Sequence, residues 1–327
     1  MTIHLAENRL SPPVLLAPMA GITDLPFRRL VARFGAGLVV SEMIASQEMV
    51  QERRGTREKA ELDADGAGSA VQLAGRDPHW IAEAARMAEA MGARIIDINM
   101  GCPAKKVVGG MSGSALMREP DHALRLIEAV VGAVSVPVTL KTRLGWDDTN
   151  HNAAALTRRA QDAGVQMVTI HGRTRCQFYK GHADWAAIAP VSAALDVPVI
   201  ANGDIVTPSD ARTALAKSGA AGVMIGRGAQ GRPWQLAVIS AALYGAPAPK
   251  IPQGSALVDL VAEHHDSMLA FYGQDLGVRV ARKHLGWYMD QAGTPAALRR
   301  EVLVAKSAKV VRMLLNDALS DVGRCAA

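Results

Sequence analysis

Residue types suited to binding and catalysis recur in this sequence immediately after short apolar runs. Glycine lets backbone N–H groups come close to phosphate oxygens, while lysine, arginine and histidine side chains bind or stabilise anions. Asparagine and glutamine supply hydrogen bonds, and a cysteine thiol can transfer a proton. The residues at these positions are Pro18, Met19, Ala20, Gln72, Asn99, Cys102, Lys141, Arg143, His171, Arg173, Asn202, Gly203, Asp204, Gly226 and Arg227.

Two glycine-containing steps near the end of this series, Asn202-Gly203-Asp204 and Gly226-Arg227, admit two interpretations. Each could be a tight turn that needs a positive φ angle, or the two together could bind a phosphate group. Because both steps follow the last two predicted strands, and because the arginine adds positive charge, we favour the phosphate site.

Lys141 ends a predicted strand and has three interpretations. It could be a surface lysine, a Schiff-base nucleophile, or a fixed positive charge that stabilises an anion such as a reduced flavin ring. Arg143 follows two residues later and points the same way if the strand continues, because side chains two apart share a face. This pair favours a cationic pocket.

Cys102 lies between Gly101 and Pro103 in a predicted turn, so it is either a small buried apolar residue or a proton donor. Its place at a strand end favours the proton donor, because a thiol is mostly protonated at neutral pH. His171 is either a core histidine or a ligand contact, and its place before Gly172 at a strand end favours the ligand contact.

The remaining cysteine and histidine residues do not suggest a disulfide framework or a metal site. Cys176 and Cys325, together with Cys102, are too few and too scattered for either, so each is expected to be a free thiol in a reducing compartment. His264 and His265 are adjacent on a predicted helix and therefore point to different faces. We predict that the protein binds no metal.

Short apolar, β-branched runs recur at a steady interval and alternate with helical stretches. Such near-continuous apolar runs are typical of parallel strands that are covered on both faces. Eight strand–helix units predict an α/β protein with a (β/α)8 TIM barrel rather than a doubly wound sheet. The predicted strands are Val14–Ala17, Leu38–Ser41, Ala70–Leu73, Ile95–Asn99, Pro137–Lys141, Met167–His171, Val197–Asn202 and Ala221–Gly226. The predicted helices are Pro26–Phe34, Pro78–Met91, Pro120–Val131, Asn152–Ala163 and Pro208–Lys217.

The end of the chain differs in character from the alternating part. Residues 244–254 are rich in proline and glycine and lack periodicity, which predicts a linker. Beyond them, residues 255–327 have apolar positions at helical spacing and no strand run. We therefore predict a barrel domain at 1–243, the linker, and a small all-helical domain of about four helices.

Composition excludes several classes of protein. With 49% hydrophobic residues in 327, the chain has enough apolar material for a core, which excludes intrinsic disorder. It lacks both an apolar run long enough to cross a membrane and a signal peptide, so we expect a cytoplasmic protein. The net charge of +5 is compatible with an RNA partner but is weak support for one.

The strand-end motifs closely resemble those of the tRNA-dihydrouridine synthases, which are flavin-dependent reductases of uridine in tRNA. The resemblance spans essentially the whole predicted barrel, and RKHLGWY at 282–288 is similar to the bacterial B subfamily. The matching segments are APMAGITDLPFR (17–28), QLAG (72–75), DINMGCP (97–103), KVVGGMS (106–112), TLKTRLGWD (139–147), HGRTRCQFYKGHADW (171–185), PVIANGDI (198–205) and GVMIGRGAQGRPW (222–234).

The resemblance implies a bound FMN that is reduced by NADPH. It assigns the phosphate of FMN to Asn202, Gly203, Asp204, Gly226 and Arg227. It also implies that the flavin ring lies against Pro18, Met19 and Ala20, with its polar edge contacting Gln72, Lys141 and His171.

For the reaction, the resemblance implies hydride transfer to C6 of a D-loop uridine and protonation of C5 by Cys102. The uridine must first unstack from the tRNA, because its reactive carbons are inaccessible in the stack. The resemblance also implies contacts to uracil or the tRNA backbone from Asn99, Arg143, Arg173, Arg282 and Lys283. We expect tRNA as the partner, with salt-sensitive binding, and neither a membrane nor a stable protein partner.

Other functions remain compatible with parts of the pattern. An FMN barrel acting on a small molecule, as in the dihydroorotate dehydrogenases, explains the glycine steps and Lys141 but gives the helical domain no role. A tRNA-binding flavoprotein whose turnover is incidental would keep its role without Cys102. A Schiff-base aldolase would use Lys141 as its nucleophile. The residues do not indicate which D-loop uridine is reduced.

Overall fold

The computed structural model describes residues 1–53, 59–62 and 69–320, and eight parallel strands in it close into a barrel. The order of strands around the barrel follows the chain, and the circle closes where the last strand pairs with the first, Met224 opposite Leu15. The predicted TIM barrel is therefore confirmed. An N-terminal hairpin is formed by β1 (Ile3–Leu5) and β2 (Asn8–Leu10). The barrel strands are β3 (Val14–Leu16), β4 (Leu38–Val40), β6 (Ser69–Ala74), β7 (Ile95–Met100), β8 (Val138–Arg143), β9 (Met167–His171), β10 (Val199–Asn202) and β11 (Gly222–Ile225), and β5 (Ile44–Ala45) adds to the end of β6.

Three of the helices that cover the barrel begin at a capping side chain. Asp24 and Asp77 accept backbone N–H groups at the starts of two helices, and Thr207 forms a capping box with Asp210. The five predicted barrel helices are present. The helices around the barrel are α1 (Leu25–Phe34), α2 (Ser46–Val50), α3 (Pro78–Ala90), α4 (Lys105–Gly109), α5 (Pro120–Val131), α6 (Ala153–Asp162), α7 (Ala189–Ala194), α8 (Pro208–Ser218) and α9 (Gln235–Tyr244).

The two ends of the barrel have different coverings. At the N-terminal end, the β1–β2 hairpin buries Ile3, Leu5 and Leu10 in one apolar cluster with Leu15 and Leu38. This burial seals that end with side chains, because apolar surface is removed from water on both partners. The carboxyl ends of the strands are left open, which is where barrel enzymes carry their sites.

Four helices follow the barrel in the described part of the chain, after residues 245–254, which have no regular structure. They share an apolar cluster with α1 and α9, in which Leu30 and Trp234 join Leu260 and Tyr288. Cys325 lies outside the described residues, and no helix within them has the length and apolarity to cross a bilayer. The assignment of this region to tRNA binding stays a prediction. These helices are α10 (Ser255–Tyr272), α11 (Gln274–Ala292), α12 (Ala296–Val304) and α13 (Ala308–Leu319).

Candidate active site

A cavity of about 820 Å³ opens at the carboxyl ends of the barrel strands. Its volume lies in the range of small-molecule and cofactor sites. Of the predicted site residues, only Arg173, Arg282 and Lys283 do not line it. Those that do are Pro18, Met19, Ala20, Gln72, Asn99, Cys102, Lys141, Arg143, His171, Asn202, Gly203, Asp204, Gly226 and Arg227.

Lys141 is buried inside the barrel mouth and is only 9% exposed. Its Nζ donates to Oδ1 of Asn202 at 3.0 Å, and Nδ2 of Asn202 donates to the carbonyl of Met224 at 2.8 Å. Burial, with the nearby Arg143 charge, lowers the pKa of Lys141 to about 8. This burial rules out a surface lysine, and the position at the cavity wall is compatible with both other interpretations, the Schiff-base nucleophile and the fixed charge.

Strand β8 continues to Arg143, so the guanidinium group lies on the same side of the strand as Lys141. Arg143 is buried, and its Nε donates to the carbonyl of Gly101 at 2.7 Å. Its Nη1 donates to the carbonyls of Thr174 and Phe178, both at 2.9 Å. These bonds tie the turn before the cysteine to the loop at the cavity rim, so Arg143 organises both segments.

Arg173 is only 1% exposed and contacts Asp204, the last residue of the first glycine step. Its Nη2 donates to Oδ2 of Asp204 at 2.5 Å, while Arg227 Nη2 donates to Oδ1 of the same carboxylate at 2.9 Å. Desolvation raises the pKa of Asp204, but the bonds and charges of Arg173 and Arg227 outweigh it, and the net shift is downward. This placement does not support the expected contact between Arg173 and tRNA; it favours a role in holding Asp204.

His171 is a neutral imidazole that lines the cavity in this geometry. Its Nε2 lies 3.2 Å from Nη1 of Arg173, and because arginine only donates, Nε2 accepts and Nδ1 carries the hydrogen. Burial and the neighbouring cations, with Lys141 first, lower the pKa of His171 well below its ordinary value. The imidazole therefore stays uncharged at neutral pH.

The glycine steps present backbone donors that the protein does not use. Within the residues that the structure describes, the N–H groups of Gly203, Asp204 and Gly226 donate no hydrogen bond to the protein. Gly203 has a φ of 116°, and a Cβ there would lie 2.7 Å from Cβ of Ala183, so only glycine fits without a shift. Free N–H groups beside the Arg227 guanidinium suit a phosphate.

A chain of hydrogen bonds runs from the barrel interior to the cysteine turn. Nε2 of Gln72 donates to Oδ2 of Asp97 at 2.7 Å, and Nδ2 of Asn99 donates to Oε1 of Gln72 at 2.7 Å. The backbone N–H of Cys102 donates to Oδ1 of Asn99 at 2.9 Å. Because a carboxylate only accepts, Asp97 fixes which way both amides face. Burial raises the pKa of Asp97 to about 6.

Sequence reasoning missed Asp97 as a site residue. The available signal was an acidic residue in the middle of an apolar strand, where an unpaired carboxylate would be costly. Cys102 itself is partly exposed at the cavity, and its carbonyl accepts from both N–H and Oγ of Ser114 at 3.1 and 2.9 Å. The turn that carries the thiol is thus held on both sides.

The two predicted tRNA contacts on α11 lie outside the cavity. Nζ of Lys283 donates to the carbonyl of Gly21 in the loop after β3. Arg282 is partly buried, and its Nε has no hydrogen-bond partner among the described residues. Lys283 thus holds a backbone group of the barrel in this structure, and that engagement does not support its expected contact with tRNA.

We expect Arg173→Met to lower the free energy of unfolding by about 2 kcal/mol, measured by urea denaturation. The substitution removes the main partner of a half-buried carboxylate, and the cost stays below that of a fully buried pair because Arg227 and solvent remain. Arg158→Met is the matched control, since Arg158 is exposed and its ion pairs with Asp162 and Asp196 and its bond to the carbonyl of Ala194 lie at the surface. Equal effects of the two substitutions would contradict a special role for Arg173.

Comparison with known proteins assigns the chain to a family. The family model described as dihydrouridine synthase (Dus) matches residues 15–322. A probable tRNA-dihydrouridine synthase from Rhodobacter capsulatus is 62% identical over 98% of this chain and 99% of its own length. Another from Rickettsia conorii is 52% identical over 97% of this chain and 93% of the relative. A tRNA-dihydrouridine synthase B from Xanthomonas axonopodis pv. citri is 46% identical over 96% of this chain and 95% of the relative.

A solved structure extends the comparison to the fold. A 2-naphthoyl-CoA reductase in complex with 2-naphthoyl-CoA matches with a TM-score of 0.59 over 75% of this chain and 52% of that chain, at 12% identity. That identity indicates a shared fold and no more. The family model and the relatives, by contrast, align over nearly the whole length of the chain. The chain therefore belongs to the dihydrouridine synthase family of enzymes.

Proposed function

We propose that this enzyme reduces D-loop uridines of tRNA to 5,6-dihydrouridine, with FMN as its cofactor and NADPH as the reductant. The observation that carries the proposal is the common cavity of Cys102, Lys141 and the glycine steps, which brings a proton donor, a fixed cation and a phosphate-binding edge together. Family membership supplies the reaction, and tRNA is named in the relatives' descriptions. We infer a cytoplasmic protein from this substrate.

The residues present fit FMN. The unused N–H groups of Gly203, Asp204 and Gly226, with Arg227, would hold its phosphate. Lys141 and the Nδ1–H of His171 would bind the polar edge of its ring, with Gln72. The face of the ring would meet Pro18, Met19 and Ala20, which line the same cavity. When bound, the flavin supplies a hydride for C6 of uracil.

Cys102 would supply the proton for C5. Its turn is fixed by Asn99, Arg143 and Ser114, so the thiol has a defined place at the cavity wall. Asn99 uses one amide hydrogen on Gln72, and its second amide hydrogen, which has no acceptor among the described residues, would bind a uracil carbonyl. The base must leave the stack to reach this depth. The β1–β2 hairpin closes the N-terminal end of the barrel, so bulk water does not reach the unstacked base from that side.

The rim of the cavity suits an unstacked nucleic acid strand. Phe178 and Tyr179 are 42% and 49% exposed, and the guanidinium groups of Arg143 and Arg227 each lie 5.5 Å from the Tyr179 ring. Exposed aromatic rings beside cations bind bases by stacking and phosphates by charge. A small substrate that is enclosed by the cavity does not need such a rim. The structure thus gives more support to an RNA substrate than to a dihydroorotate-like one.

We expect the affinity for tRNA to fall about tenfold or more between about 50 and 200 mM salt, as for two or more phosphate contacts. The exposed cations that would make them include Arg279 on α11. Fluorescence anisotropy of labelled tRNA across a salt series measures the slope. A dissociation constant that does not change with salt would contradict an electrostatic contribution to binding.

The test of the proposed function is direct. Purified protein, FMN and NADPH are incubated with tRNA that lacks the modification, and dihydrouridine is measured by mass spectrometry of nuclease fragments. Dihydrouridine in a D-loop fragment is the expected result, and the fragment also identifies the position. A protein that binds FMN and oxidises NADPH but leaves tRNA unchanged would overturn the substrate and point to a small molecule instead.

A further inference from the structure

The backbone around Gly21 is held from two opposite parts of the molecule. The N–H of Gly21 donates to Oε2 of Glu42 at 2.5 Å, and Glu42 is buried. The carbonyl of Gly21 accepts from Nζ of Lys283, which belongs to α11 in the helical region. Two successive peptide groups are therefore fixed by charged side chains, and hydrogen bonds to charged groups are the strong ones.

These peptide groups lie within a wall of the active-site cavity. Residues on both sides of Gly21, including Met19, Ala20 and Ile22, line that cavity. Within the loop, the N–H groups of Ile22 and Thr23 donate to the carbonyl of Met19 at 2.9 and 3.0 Å. The loop is thus a tight turn whose outer side is anchored by Glu42 and Lys283.

The helical region contacts this loop at a second point. Tyr272, at the end of α10, donates from its hydroxyl to Oδ2 of Asp24 at 3.1 Å, while Oδ1 of Asp24 accepts the N–H of Phe27 and caps α1. Lys283 and Tyr272 therefore form hydrogen bonds to the middle and to the end of the loop after β3. Nothing in the reaction itself requires either contact, so their function concerns the shape of the wall.

We propose that Lys283, together with Glu42, is a positioning residue that shapes the flavin-facing loop, so that the helical region completes the cofactor site. Lys283 acts on the backbone of Gly21, and Gly21 sets the direction of Met19 and Ala20. The helical region would then have two functions. It shapes the FMN site through Lys283, and it binds tRNA through residues such as Arg279, which is exposed on the same helix. This inference rests on the proposed function only in taking FMN as the ligand of the loop.

The experiment measures FMN binding without tRNA. Full-length protein is stripped of flavin, and the quenching of FMN fluorescence gives the dissociation constant. We expect Lys283→Met to raise it about tenfold, because the carbonyl of Gly21 loses its donor while the aliphatic stem is retained. Lys283→Gln keeps an N–H donor and is expected to restore most of the affinity. Glu42→Ala removes the other anchor and is expected to weaken FMN binding in the same direction.

Arg279→Met is the matched control on the same helix. Arg279→Met is expected to keep the FMN dissociation constant within about twofold of the wild-type value and to weaken tRNA binding. Lys283→Met in FMN-saturated protein is expected to keep the tRNA dissociation constant within about twofold of the wild-type value. Thermal melting of each variant separates loss of fold from loss of binding. Lys283→Met and Glu42→Ala proteins that fold and bind FMN like the wild type would overturn the inference. A wild type that binds no FMN would overturn the proposed function together with it.

Discussion

Replacing Cys102 by alanine reduces dihydrouridine formation by at least about a hundredfold, the contribution expected of a positioned general acid. FMN binding and the rate at which NADPH reduces the bound flavin stay within about twofold of the wild type, because the thiol is not among the groups proposed to hold the flavin. Cys102 shares its cavity with those groups, and the carbonyl and N–H of its own backbone are held by Ser114 and Asn99. Alanine therefore removes the thiol and leaves the turn in place.

The control for this result is Cys176→Ala. Cys176 is the other free cysteine among the described residues, and it is exposed on the rim loop, so its loss leaves the yield of dihydrouridine unchanged. The measurement is single-turnover product formation by mass spectrometry, with NADPH oxidation followed in parallel by absorbance. A Cys102→Ala enzyme that forms dihydrouridine at the wild-type rate would mean that solvent or another group supplies the proton.

Local signals explain why so much of the fold was predictable. Most barrel strands are short apolar runs because both of their faces are buried, and proline at the first turn with a capping side chain marks the helix starts at 78 and 208. The residues around the cavity were predictable for a related reason. The barrel brings every strand end to one edge, so residues far apart in the sequence, such as Gln72 and Asn202, must meet there.

What the sequence did not reveal depends on contacts between elements. Arg173 and Lys283 look like free cations in the sequence, but Arg173 lies against Asp204 from the next strand end, and Lys283 reaches a carbonyl of the loop after β3. In the sequence Asp97 is one more residue of a strand. Its role in orienting the site arises only from the amide of Gln72 that donates to it and from the amide of Asn99 that donates to Gln72. No local pattern encodes which partner a long charged side chain finds across an interface.

Replacing Lys141 by methionine is expected to weaken FMN binding and to slow flavin reduction by NADPH by about a hundredfold, the magnitude typical of a lost electrostatic stabiliser. Methionine fills the space of the stem, so the effect reports the missing charge and the bond to Asn202 rather than a cavity. Lys141→Arg is the control for charge, and it is expected to recover part of the binding.

The pH dependence identifies the charge itself. Burial lowers the pKa of Lys141 to about 8, so the side chain is charged below that pH and becomes neutral as the pH rises through it. FMN binding by the wild type is therefore expected to stay constant up to about pH 8 and to weaken between about pH 8 and the higher pKa that Lys141 has in the complex, because the anionic ligand favours the charged form. His171 is already neutral throughout this range, and Arg143, whose pKa is lowered to about 10, stays charged. The Lys141→Met variant should bind FMN weakly, with the same dissociation constant throughout this pH range. A methionine variant that retains the wild-type pH profile would assign the titration to another group and remove Lys141 from the proposed cofactor site.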